Sequence, residues 1–144
     1  MPKRFTLAEA QTLIPAVDRQ LRDAIAMKSE YQEAERALHA FQERIMLMGG
    51  LVLNLDRATE ARSRRETSAA CLRNAIEQVQ EFGCVVKDLE VGLLDFPARI
   101  NGEAVYLCWR LGEDRIRFYH AQDEGFAGRK PIDPRDADYR NPIQ

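Results

Sequence analysis

Apolar side chains recur at spacings of three and four along the first third of the chain: Val17, Leu21, Ala24, Tyr31, Ala34, Leu38, Phe41, Ile45 and Met48, with only Lys28 interrupting. This is the stripe of an amphipathic helix with a heptad-like seam. Ahead of it, Thr6 and Glu9 form a Thr-x-x-Glu capping box, and Pro15 falls where a further helix could begin, because proline suits a first helical turn. The pattern predicts a short helix over about 7–13 and a long one from Pro15 to about 48. Gly49-Gly50 should end the long helix, since two glycines cost about 2 kcal/mol relative to alanine inside a helix. A second helix is predicted over about 57–82, with Ser68, Leu72, Ala75, Ile76, Val79 and Phe82 on one face and a stop at Gly83. The intervening Leu51–Leu55 segment fits a helix, a strand or an apolar loop.

After Gly83 the period changes from 3.6 to 2. Strands are predicted over about 84–89, 93–100, 103–110 and 115–120, giving a meander of three or four strands. Asn101-Gly102 is a strong hairpin signal because both residues tolerate positive φ in a type I′ turn. A two-residue turn there pairs Ile100 with Glu103, Ala98 with Val105, Phe96 with Leu107, Asp95 with Cys108 and Leu94 with Trp109. A turn at Leu111–Asp114 in the same style pairs Trp109 with Ile116, Cys108 with Arg117, Leu107 with Phe118, Tyr106 with Tyr119 and Val105 with His120. Turn type fixes register, and register fixes faces. Leu94, Phe96, Ala98, Val105, Leu107, Trp109, Ile116 and Phe118 then form an apolar face for the helices. Asp95, Cys108 and Arg117 form a row on the opposite face, and His120 points toward the core. The fold class is α+β: a long antiparallel, coiled-coil-like helical hairpin followed by a small antiparallel sheet.

Length and composition fit one domain spanning 1–144, with the hairpin over about 6–82, the meander and C-terminal loop over about 84–132 and a polar tail over 133–144. The chain has 144 residues, 31% charged and 45% hydrophobic, so it can bury a real core without disulfides. Net charge is −2, with 21 Lys+Arg against 23 Asp+Glu, which argues against a general nucleic-acid coat. Arg57, Arg62, Arg64 and Arg65 are interleaved with Glu60 and Glu66 and read as a solvated helix face. No apolar run approaches the roughly 20 residues of a membrane span, and no signal core is visible, so a cytoplasmic location is expected. Cys71, Cys84 and Cys108 are odd in number and widely spaced, which fits neither a disulfide framework nor a zinc knuckle. The apolar stripe is too wide for two helices to hide from each other, so it must meet the sheet, a partner chain or both; a homodimer through the helices is expected, the alternative being that the sheet covers it within one chain.

The chemistry-bearing residues concentrate between Leu93 and Ile132. Asp95, Cys108 and His120 are the candidate catalytic groups, although a nucleophilic Cys108 would need a base and this register puts His120 on the other face. Gly125-Phe126-Ala127-Gly128-Arg129-Lys130 is the most unusual stretch. Two glycines three apart could take positive φ and present an anion-binding nest, with Arg129, Lys130 and the more distant Arg117 adding charge and Phe126 anchoring the loop in the core. Gly125, Gly128, Arg129, Lys130 and Arg117 are therefore the candidate ligand-binding residues. The loop matches no nucleotide-binding motif. His120 with Asp123 and Glu124 is a conceivable ligand set, but its spacing matches no dedicated metal motif, and no cofactor is expected.

The LLDFPA, VYLCWRLGE and His-x-x-x-x-GFAGRKPI runs resemble an uncharacterised prokaryotic family that is known only as a domain of unknown function. The resemblance covers most of the chain and implies no activity and no catalytic residues. Taken together, the sequence points to a small binding or interaction module with an anionic ligand at the Gly125–Lys130 loop. The alternatives are an enzyme on a phosphate- or carboxylate-bearing small molecule, and an adaptor that dimerises through its helices.

Overall fold

The structure is a computed structural model that describes residues 4–47, 55–100 and 102–132. Helix α1 (Leu7–Leu47) and helix α2 (Leu55–Gln80) form an antiparallel pair, followed by a five-stranded antiparallel sheet: β1 (Val85–Asp88), β2 (Leu93–Ile100), β3 (Glu103–Arg110), β4 (Phe118–Ala121) and β5 (Lys130–Pro131) in sequential order. The α+β class holds, with one strand more than the three or four expected. β5 comes from the basic stretch after Gly128 and pairs with β4. The Gly49-Gly50 break, the Leu51–Asn54 segment, Asn101 and the 133–144 tail lie outside the described residues.

The capping box forms in both directions. Thr6 N–H donates to Glu9 Oε1 and Glu9 N–H donates to Thr6 Oγ1, each at 3.1 Å. Pro15 does not open a second helix, however. It sits inside one continuous helix of 41 residues. An interior proline removes a backbone bond and costs about 3 kcal/mol. The helix runs through it because Ala10, Ile14, Val17 and Leu21, on either side, are all buried in the core, while Pro15 faces solvent.

α1 has two environments. Its first half packs on the sheet, where Ile14, Val17 and Leu21 join Phe5, Val79, Leu94, Phe96, Leu107, Trp109 and Ile116 in one cluster. Among the described residues its far half buries side chains against α2, through Ala34, Leu38 and Ala58. Lys28, the one break in the stripe, pairs with Glu90 in the turn after β1. The arginines of α2 remain on a solvated face and reach across to α1, Arg65 to Glu35 at 3.0 Å and Arg64 to Glu33 at 4.0 Å. Among the described residues no helix is long and apolar enough to cross a membrane.

Gly92 joins these layers. It has φ +72°, and a Cβ there would lie 2.5 Å from Leu111 Cβ and 3.4 Å from Leu21 Cδ2. Its carbonyl accepts the Leu111 N–H at 2.8 Å. The β1–β2 turn, the end of β3 and α1 therefore converge on a point with no room for a side chain.

The β2–β3 register is the expected one along its whole length, from Leu93 opposite Arg110 to Ile100 opposite Glu103. The β3–β4 register is not. Phe118 lies opposite Cys108, Tyr119 opposite Leu107, His120 opposite Tyr106 and Ala121 opposite Val105, a shift of one residue. The predicted tight turn is instead a connection over 111–117. Glu113 holds it: its N–H donates to the Arg110 carbonyl at 3.0 Å, its Oε1 accepts the Arg110 N–H at 2.7 Å, and its carbonyl accepts the Trp109 indole N–H at 3.1 Å. Ile116 N–H donates to Gln11 Oε1 on α1 at 3.0 Å, outside any strand. Because side chains alternate with period 2, a one-residue shift turns every β4 side chain over. Tyr119 packs against the core, while Phe118 and His120 share the face of Asp95 and Cys108.

Candidate functional site

The face of the sheet away from the helices carries a buried polar cluster. Asp95, Cys108 and His120 are 1%, 0% and 3% exposed. His120 Nε2 lies 3.0 Å from Asp95 Oδ1, and His120 Nδ1 lies 2.8 Å from the Ala121 carbonyl. A carbonyl oxygen can only accept, so Nδ1 carries a hydrogen. The remaining proton of the pair lies on the axis between Nε2 and Oδ1. Asp95 Oδ2, also buried, meets no hydrogen-bond donor among the described residues. One carboxylate oxygen, the Cys108 sulfur and one His120 nitrogen all fall within 4.8 Å of one another. The Tyr106 ring stands beside His120, centroids 5.5 Å apart.

This arrangement corrects the expected row. Asp95 and Cys108 are adjacent as predicted, but Arg117 is not the third member. It is exposed in the 111–117 connection and pairs with Asp114 at 2.9 Å. His120 joins the cluster in its place. Its carboxylate partner is Asp95, across two strands, and not its sequence neighbours: Asp123 is exposed, and Glu124 Oε1 accepts the Ala121 N–H at 3.0 Å.

The segment after β4 lies over this face, and its own contacts build it. The η1 turn (Phe126–Gly128) uses the Gly128 and Arg129 N–H groups internally, to the Gly125 and Phe126 carbonyls at 3.0 and 3.2 Å. Gly125 has φ −109°, and neither it nor Gly128 is among the positive-φ glycines, so the expected nest geometry is absent. Gly128 is instead close to the Glu124 side chain, where a Cβ would meet Oε2 at 2.9 Å and Cβ at 3.1 Å and Glu124 would have to shift. Phe126 is 39% exposed and does not anchor the loop in the core. It stacks on Arg129.

Arg129 is the centre of this cover. Its guanidinium carbon lies 4.1 Å from the Phe118 ring centroid and 4.2 Å from that of Phe126, a cation–π contact with each ring. Its Nη1 reaches Glu113 Oε1 at 3.3 Å, and its side chain is 17% exposed. Lys130 pairs with Glu124 at 3.2 Å. The bond from the Ala121 N–H, with Lys130 and His120 nearby, holds the Glu124 carboxyl below its ordinary range. Burial, reinforced by the Asp95 carboxylate and opposed by Arg129, pushes the Cys108 thiol up to about 11. A buried thiol of that kind is a poor nucleophile at neutral pH, and His120, with both ring nitrogens engaged, offers it no free base.

Sequence reasoning missed Glu113, Phe118 and Tyr106 as site neighbours and put His120 on the wrong face. The faces of Phe118 and His120, and with them the His120–Tyr106 contact, follow from the one-residue shift in β4, whereas Glu113 enters through the 111–117 connection that sets the shift.

Fold and site together define a two-layer α+β protein: a helical hairpin on one sheet face, and on the other a buried Asp–Cys–His cluster beneath an arginine-bearing loop. The chain belongs to the family described as uncharacterised conserved protein (DUF2203), which matches residues 3–132. No curated protein and no solved structure matches it at a significant level.

Proposed function

We propose that this protein is a small binding module that takes an anionic ligand, a carboxylate or a phosphate, at the loop bearing Arg129 and Lys130. The observation that carries the reading is the state of Arg129. Its guanidinium lies over the rings of Phe118 and Phe126 and is largely withdrawn from water, and its one carboxylate partner stands at 3.3 Å. Two ring contacts restrict the side chain, and the five N–H donors of an arginine match a carboxylate or phosphate. Glu113 occupies part of that donor set, and an incoming anion competes with it. Lys130 on the neighbouring strand adds a second, more exposed cation.

The test is titration of the full chain with inorganic phosphate and with citrate. Arg129→Ala should weaken binding by about tenfold or more, the loss of one charge-assisted pair of about 1.5–3 kcal/mol. Glu113→Gln, which removes the competing charge but keeps an acceptor for the Arg110 N–H, should tighten it several-fold. Unchanged affinity in both variants sinks the reading.

A second reading, association through the helices, is favoured by a separate observation. Ala34, Ala37, Ala40 and Phe41 of α1 and Ala61 of α2 form the apolar part of an open groove between the helices, whose charged part is Arg44, Arg57, Glu60 and Arg64. Beyond it Met46 and Leu47 are 80% and 88% exposed. A second copy of the chain, bringing the same stripe, would cover this surface. An enzyme reading has less support, because the cluster supplies neither a free base nor an activated thiol.

A further inference from the structure

We propose that Asp95, Cys108 and His120 form a site for one thiophilic divalent transition-metal ion, with zinc as the expected occupant. The proposed ligands are not the groups of the anion reading, although Arg129 borders both, and the metal titration below reads the site without reference to anion affinity.

Three observations carry it. First, a carboxylate oxygen, a sulfur and an imidazole nitrogen lie within 4.8 Å of one another. Tetrahedral zinc with bonds of about 2.0–2.3 Å holds its ligand atoms roughly 3.3–3.8 Å apart, so the cluster needs only small side-chain adjustments. Second, His120 is oriented as metal-binding histidines are. Its Nδ1–H is anchored on the Ala121 carbonyl at 2.8 Å, which fixes the tautomer and leaves Nε2 directed into the cluster. Third, Asp95 Oδ2 is buried and meets no donor among the described residues. A buried acceptor left unmade costs about 1–3 kcal/mol, and a cation at this point would satisfy it.

The charge balance also closes. A divalent ion replaces the proton on the Asp95–His120 axis and the proton of the Cys108 thiol. Two positive charges enter and two leave, so the buried net charge is unchanged. Arg129, beside the Cys108 sulfur, is already neutralised by Glu113 and can act as an outer-shell donor to the thiolate. Three protein ligands leave a fourth position for water or another small ligand.

The experiment uses the full chain, stripped with a chelator and titrated with Co2+ as a spectroscopic stand-in and then with Zn2+. The wild type should bind one equivalent with a sulfur-to-cobalt charge-transfer band and the intense d–d bands of a tetrahedral centre. Cys108→Ser should lose the charge-transfer band, and Cys108→Ser and Asp95→Asn should each weaken binding by more than about 100-fold, beyond the 10–100-fold typical of outer-shell changes. Cys71→Ser, which alters the exposed thiol, should keep both signals. Failure of the wild type to bind one equivalent, survival of the band in Cys108→Ser, or its loss in Cys71→Ser overturns the proposal. Should Cys108→Ser prove unfolded by circular dichroism, X-ray absorption of the zinc-loaded wild type decides. A coordination shell with one sulfur supports the site, and a shell with none or with more than one rejects it.

Discussion

His120 faces an acceptor on each side of its ring, and this makes Asp95 indispensable to it. Without Asp95, a buried imidazole keeps one nitrogen on the Ala121 carbonyl and loses the partner of the other. Breaking a buried, hydrogen-bonded pair from one side strands the other member and typically costs 3–5 kcal/mol. Asp95→Ala should therefore lower stability by about that amount in urea denaturation with chelator present. Asp95→Asn retains an acceptor oxygen at the same distance and should cost clearly less. A loss under about 1 kcal/mol for the alanine variant would mean that the pair contributes little to the fold.

At the level of elements, the contrast between the two hairpins explains what was legible in the sequence. The β2–β3 register followed from Asn101-Gly102, because the turn residues determine loop length and the length determines parity. The 111–117 connection gives no such signal. Its length depends on Glu113 closing the end of β3 and on Gln11, 105 positions earlier, taking the Ile116 N–H. Contacts of that range are invisible to local pattern, and the resulting one-residue difference moved His120 from the core face to the side of Asp95. The Gly125–Gly128 spacing does not signal positive φ, which neither glycine adopts, because a glycine pair alone does not determine the backbone conformation around it. The long helix was legible from its stripe, but its continuity through Pro15 was not, because burial on either side overrode a local break. That override carries a cost that can be measured, the missing backbone hydrogen bond of Pro15. Pro15 is exposed, so Pro15→Ala should restore a backbone bond without disturbing the core. The gain should be about 1–2 kcal/mol in denaturant unfolding, part of the roughly 3 kcal/mol propensity difference being returned through the freer unfolded chain. A destabilised variant would show that the proline shapes the helix in a way the core requires.

At the scale of the whole molecule, the distribution of burial is uneven. The sheet and the first half of α1 share one large apolar cluster, whereas among the described residues the far half of the hairpin buries only Ala34, Leu38 and Ala58. The far half is the part that gains most from a second copy. Sedimentation equilibrium should find a dimer at micromolar concentration. Phe41→Glu, which places a charge in the groove, should shift the protein to monomer while leaving its circular dichroism unchanged. A wild type that stays monomeric at high concentration removes the dimer reading.

The two margins of the sheet are finished differently from its centre. On one side β5 is only Lys130–Pro131, and proline has no N–H to offer a further strand. On the other, β1 is four residues long, irregular in its pairing between Val86 and Asp88, and carries Lys87 and Asp88. Short, charged or proline-bearing margins discourage strand-to-strand growth between molecules. Among the described residues, growth by sheet extension is thus discouraged at both margins, so added sheet edges are a poor route for one molecule to recruit another.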